Sequence, residues 1–116
     1  MISSDVIRGY NDTIILYLLL EKPSYGYDIS RKIRELSMEK YIIKETTLYS
    51  AFNRLEKNGY VTSFFGDETN GKRRTYYQIT SAGISYYKEK CEEWLVTKEV
   101  VEKFIIQQGG SSYGDN

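Results

Sequence analysis

The segment "KETTLYSAFNRLEKNGY", residues 44–60, sets Leu48, Ala51, Phe52 and Leu55 on one side of a helix. Their spacing of i, i+3, i+4 and i+7 is that of a buried stripe. Gly59, after Asn58, stops the helix, because glycine accepts the left-handed conformation that ends helices. Off the stripe lie Thr46, Thr47, Tyr49, Ser50, Asn53 and Arg54. Hydroxyls at such positions bond phosphates or base edges, a carboxamide suits adenine, and a guanidinium suits guanine or phosphate. Lys44 stands just before the helix, whose free N-terminal amides suit a phosphate. Thr46 or Thr47 reads equally well as a helix cap.

On the C-terminal side, "YVTSFF" (60–65) and "RTYYQI" (74–79) are bulky alternating runs of β type. The polar turn formers "GDETNG" (66–71) between them predict a hairpin. Lys72, Arg73 and Arg74 sit at the mouth of its second strand. Alone, three basic residues on a hairpin describe a solvated edge. Carried on a loop just after a polar-faced helix, they describe a grip on phosphates that releases condensed counterions.

On the N-terminal side, Tyr10, Ile14, Tyr17 and Leu18, with Ile15 and Leu19 beside them, predict a helix from Asp5 to Leu20, ended by Pro23. "SYGYDISRKIREL" (24–36) begins a second helix with Ile29, Ile33 and Leu36 as its apolar positions, and "EKYI" (39–42) is a connector or short strand. After the hairpin, Thr80 caps a last helix running from Ser81 to about Gln108. Ile84, Tyr87, Cys91, Trp94, Val101 and Ile105 form a heptad-like seam along it, with Lys98 in the gap. So long a seam exceeds what a three-helix core covers, and a second chain is its simplest cover. "GGSSYGDN" (109–116) has no periodicity and reads as a disordered tail.

The order helix, helix, helix, hairpin, long helix is that of a winged helix-turn-helix, whose third helix enters the major groove. The expected fold is mainly α with a small β-hairpin. A DNA-binding unit spans 1–80, a C-terminal dimerisation helix spans 81–108, and a tail spans 109–116.

Composition narrows the chemistry. The 116 residues carry no net charge, yet residues 31–74 hold ten basic and six acidic side chains, a net of +4, and each flanking part nets −2. The positive charge therefore lies in the middle of the chain, between acidic ends. No histidine and a single cysteine exclude imidazole catalysis and thiolate metal sites, and no phosphate-binding glycine loop is present. No cofactor or metal is expected. No apolar run reaches the ~20 residues of a membrane span, and no signal peptide is visible, so a cytoplasmic protein is expected. Cys91 reads as a small buried apolar residue, with redox sensing as the alternative.

In this order, "PSYGYDISRKI", "TTLYSAFNRLEKNGYV" and "GKRRTYYQITSAG" resemble the PadR family of bacterial transcriptional regulators over roughly residues 6–107. Shortness and a tryptophan in the last helix resemble its branch that includes a lactococcal multidrug-sensing repressor. The resemblance implies a homodimeric repressor that binds double-stranded operator DNA, with small-molecule sensing in some members. Lys44 departs from the Ser or Asn of relatives at the helix start, and Lys90 and Lys98 depart from the small or acidic residues that line the multidrug sensor's pore.

Those lysines bracket Trp94, and Tyr17 and Tyr87 fall near it if the first and last helices pack as in the relatives. A cavity of that kind favours a planar aromatic molecule, neutral or anionic. The alternative is that Trp94 closes a dry seam and both lysines reach solvent. Two other classes stay open at this point: a winged-helix module that binds protein without specific DNA binding, and an enzyme, for which no clustered nucleophile or metal set is visible.

Overall fold

The computed structural model describes residues 1–69 and 72–106, and at 67–69 and 72 the backbone alone. The tail at 109–116 and the expected helix end at 107–108 lie outside the described residues.

The elements run α1 (Ser4–Ile7), a 3-10 turn (Arg8–Tyr10), α2 (Asn11–Leu19), β1 (Ser24–Tyr25), α3 (Gly26–Leu36), α4 (Glu45–Lys57), β2 (Val61–Thr69), β3 (Lys72–Ile79) and α5 (Ser81–Glu102). The winged helix-turn-helix order is present, mainly helical with one small sheet.

Three expectations change in detail. The first helix is broken by the 3-10 turn, which contains Gly9, a poor helix former. The hairpin has a third partner, since β1 pairs antiparallel with β3 (Ser24 with Tyr77, Tyr25 with Tyr76), giving the strand order β1-β3-β2. Finally, α5 ends at Glu102, where Lys103 turns its N–H to the carbonyls of Val100 and Val101. Ile105 therefore lies beyond the helix rather than on its seam. At 1.5 Å per residue α5 is about 33 Å long, shorter than a helix reaching Gln108.

α4 forms as its stripe dictates. Leu48, Ala51, Phe52 and Leu55 are all buried, and each of the three large ones gains about 2 kcal/mol by leaving water. They meet Ile15, Leu16 and Leu19 of α2, Ile29 and Ile33 of α3, Val61 of β2 and Tyr77 of β3 in one core. Phe52 stacks on Tyr77 with ring centroids 3.8 Å apart, which seats the sheet against α4. The buried face of α2 centres on Ile15, Leu16 and Leu19, with Ile14 and Leu18 at its edge, whereas Tyr17 is exposed, as is Leu36 at the end of α3. The connector 41–44 is irregular and buries Tyr41 and Ile43. Tyr41 donates its hydroxyl hydrogen to the buried Asn11 carboxamide oxygen at 2.6 Å.

Gly59 has φ +80°, as its role as a helix stop requires. Beyond it, Thr80 caps α5 by accepting the Gly83 N–H at 3.0 Å and donates its hydroxyl to the Gly59 carbonyl at 2.7 Å. The end of α4, the sheet and the start of α5 are thereby joined at one corner.

Candidate nucleic-acid interface

α4 presents Thr46, Tyr49, Ser50 and Asn53 on its exposed side. The spacing i, i+3, i+4, i+7 sets them in a line opposite the buried stripe. Thr47 is half-buried and turns instead toward a polar hollow of about 340 Å³ that also holds Arg8, Asn11 and Lys44. Lys44 takes the cap position with extended backbone, and its side chain makes no cap hydrogen bond. The first amides of α4 are left without a side-chain partner, at the positive end of the helix dipole.

Tyr49 is 41% exposed. Its ring packs edge-on to Phe52, with centroids 5.6 Å apart, and its hydroxyl lies over Gly26 at the start of α3. The residue both braces α3 against α4 and shows one edge to solvent.

Arg54 is directed away from this face. Its guanidinium is ion-paired with the Asp12 carboxylate of α2, whose hydrogen bond holds Arg54 above its usual pKa range. Asp12 also accepts from the Tyr86 hydroxyl of α5 at 3.4 Å. Arg54 therefore ties α4 to α2, and Asp12 carries the link on to α5, a role that its position 42 residues earlier in the chain kept out of sight in the sequence.

The basic triplet lies in β3 rather than on a loop. Strand alternation then sends its members to different faces. Arg73 lies over the Phe65 ring at 5.4 Å and remains exposed. Arg74 turns to the other face and sits 4.2 Å over the Tyr25 ring of β1. There Tyr25, Tyr76 and Phe64 form an aromatic row, with centroids 5.3 Å and 5.6 Å apart. The side chain of Lys72 lies outside the described residues. The base of the wing is tied to α4 by Ser63, whose hydroxyl donates to Glu56 at 2.6 Å.

The residues expected around a small molecule do not converge on one cavity. Trp94 and Lys98 line a groove of about 780 Å³ between α5 and the N-terminal segment, with Tyr10, Cys91 and Glu102. Tyr10 meets Trp94 edge-on with centroids 5.3 Å apart. This aromatic mate was missed, although Tyr10 lies on the helical spacing of the first helix. Tyr17 and Tyr87 line a second groove, on the side of α2 that faces α3. Lys90 joins neither; it is ion-paired with Glu93 at 2.7 Å and lies over Tyr86.

Of the seam residues, Tyr87 and Cys91 are half-buried, and Ile84, Trp94 and Val101 are exposed on α5. Leu95, Val96 and Val100 are exposed on the other sides of α5, and Phe104, Ile105 and Ile106 are exposed past the helix end. Among the described residues, no helix is long and apolar enough to cross a membrane.

The model of the transcriptional regulator PadR-like family matches residues 15–89. A transcriptional regulator from Clostridium thermocellum is 67% identical in sequence. Its structure superposes with a TM-score of 0.84 over 90% of this chain and 99% of its own. A PadR family transcription regulator from Clostridium difficile is 34% identical, with a TM-score of 0.71 over 83% of this chain and 98% of its own. An uncharacterised protein of Lysinibacillus sphaericus is 46% identical over 105 residues, 90% of this chain and 96% of its own. The matched segment runs from within α2 to within α5 and takes in the whole of α3, α4 and the hairpin. The chain therefore belongs to the PadR-like family of transcriptional regulators, and is a DNA-binding regulator on a winged-helix frame.

Proposed function

We propose that the chain reads a specific operator as a homodimer and represses transcription there. The observation that carries this reading is the line of Thr46, Tyr49, Ser50 and Asn53 along the open side of α4. α4 enters the major groove, where Asn53 reads a base edge and the hydroxyls meet bases or phosphates. Arg73, itself exposed near the wing end of β3, meets the phosphate backbone, joined by Lys72. Lys44 and the uncapped amides of α4 take a further phosphate.

The exposed apolar surface of α5 supports dimerisation. Trp94 and Val101 share one face of it, and Leu95, Val96 and Val100 are exposed on its other sides; a monomer rarely shows so much apolar surface on one helix. Two copies related by a two-fold axis present two α4 helices to half-sites about one helical turn apart. A repressor of this kind acts in the cytoplasm, by occupying DNA that polymerase needs.

Response to a planar aromatic molecule is the remaining part of the proposal, and it rests on the groove that Trp94 and Tyr10 line together. Lys98 and Glu102 both line that groove, so its walls offer one charge of each sign and favour neither an aromatic acid nor an aromatic cation. Trp94 fluorescence titrated with matched acids and cations tests this. Quenching by both agrees with the groove as described, and quenching by neither means a dry seam.

The experiment that tests the function itself is selection of binding sites from a pool of random duplexes. The expected result is an inverted repeat, and a promoter carrying it should lose transcription when the protein is added. A pool that stays random, with the folded protein retained on a protein partner instead, would favour the protein-binding module.

A further inference from the structure

Asp12 stands where three helices meet. Its side chain is only 15% exposed. One carboxylate oxygen holds the Arg54 guanidinium of α4 and the other accepts from the Tyr86 hydroxyl of α5 at 3.4 Å. Tyr86 is itself fixed, because its ring stacks on Tyr60 with centroids 4.1 Å apart and planes within 8°. Lys90 lies over the same ring at 5.8 Å and is ion-paired with Glu93. Arg54 has a single described ion-pair partner, and Asp12 is that partner.

We propose that Asp12 is a positioning residue for DNA reading: by holding Arg54 and Tyr86 together it fixes the angle between α4 and α5. The inference rests on the reading that α4 enters the major groove of a two-fold site. In such a dimer α5 belongs to the shared frame and α4 to the reading head. The angle between them sets how far apart the two heads stand, and therefore which half-site spacing fits. Apolar packing of α4 alone leaves that angle softer than a charged hydrogen bond does, since packing has no direction and a guanidinium–carboxylate pair has one. The arrangement also adjoins the Trp94 groove. Tyr10, which meets Trp94, and Thr13, which lines the groove, flank Asp12 within one turn of chain, so an occupant of the groove bears on the turn that sets the angle.

The test uses the full chain and the site selected from random duplexes. The two half-sites are kept and the spacer is lengthened or shortened by one base pair. Affinities are measured for the wild type, Asp12→Asn, Arg54→Gln and Tyr86→Phe, each checked for folding by its melting curve. Tyr86→Phe removes one hydroxyl and keeps the stack on Tyr60, so it carries the test if Asp12→Asn does not fold. The wild type should prefer one spacing strongly. In Asp12→Asn that preference should fall about tenfold, the size of a coupling between groups in one network. Arg54→Gln should follow it and Tyr86→Phe should show a smaller loss. Base preference within each half-site should stay as in the wild type. An unchanged spacing preference in the folded variants overturns the inference, and so does a loss of base preference with spacing intact. A wild type that selects no motif contradicts DNA reading itself and takes this inference with it.

Discussion

The hydroxyl of Tyr49 stands where a β-carbon on residue 26 would be. α3 can begin under α4 at that closeness only because Gly26 has no side chain. Gly26→Ala should cost about 1–3 kcal/mol, the usual penalty for overpacking a filled site. Urea unfolding measures it. The double variant with Tyr49→Ala should lose less than the sum of the two single losses, because the ring that the new methyl meets is gone. Strictly additive losses would mean that the two residues do not meet.

Between α3 and the connector the chain holds Met38 at φ 53° and Glu39 at φ 63°. Both turn the end of α3, where Glu39 donates its N–H to the Arg34 carbonyl at 2.8 Å. A side chain in this left-handed region costs roughly 1–2 kcal/mol, and a glycine there forfeits part of the gain to its freer unfolded chain. Glu39→Gly should stabilise by about 0.5–1 kcal/mol, read from the urea midpoint. A loss of stability would mean that the Glu39 side chain makes a contact worth more than the strain.

Four tyrosines set the response to alkali. Burial raises Tyr41, Tyr77 and Tyr86 above their usual range. A hydrogen bond with Cys91, with burial second, pushes Tyr87 up to about 12. Below pH about 10 both folded and unfolded chains keep these protons. Above it the unfolded chain releases protons that the folded chain retains, so stability falls as pH rises from about 10 toward 12. Urea midpoints across that range should decline, and tyrosine absorbance should show a group of residues ionising late. A flat stability profile would remove the raised values.

How much of this was legible in the sequence varied with distance along the chain. The stripe of α4 was readable because Leu48, Ala51, Phe52 and Leu55 repeat within one helix, and the Thr80 cap was readable for the same local reason. β1 was not, since two residues carry no period and Ser24–Tyr25 become a strand only by meeting β3. The basic triplet reads as part of a loop, because "GDETNG" has turn formers throughout, whereas the strands reach Thr69 and restart at Lys72. The contacts that decide roles were the least visible. Arg54 and Asp12 are 42 residues apart, and neither Tyr10 nor Trp94 carries a local sign of the other.

The apolar surface of α5 predicts a dimer at micromolar concentration. Val101→Glu places a charge on that surface, and an unpaired charge there opposes association. Sedimentation should show the wild type as a dimer and the variant shifted toward a folded monomer. A wild type that sediments as a monomer at this concentration would contradict the assembly.

The central claim is that α4 reads bases and the wing holds phosphates, and one titration separates them. Affinity for the selected duplex is measured against salt concentration for the wild type, Asn53→Ala and Arg73→Ala. Arg73→Ala should weaken binding to every sequence and reduce the salt slope by about 1, the release attached to one phosphate contact. Asn53→Ala should leave the slope alone and lose about 1–3 kcal/mol of discrimination at one base pair. If both variants bind the selected duplex as the wild type does, at every salt concentration, then α4 and the wing are not the DNA-binding face.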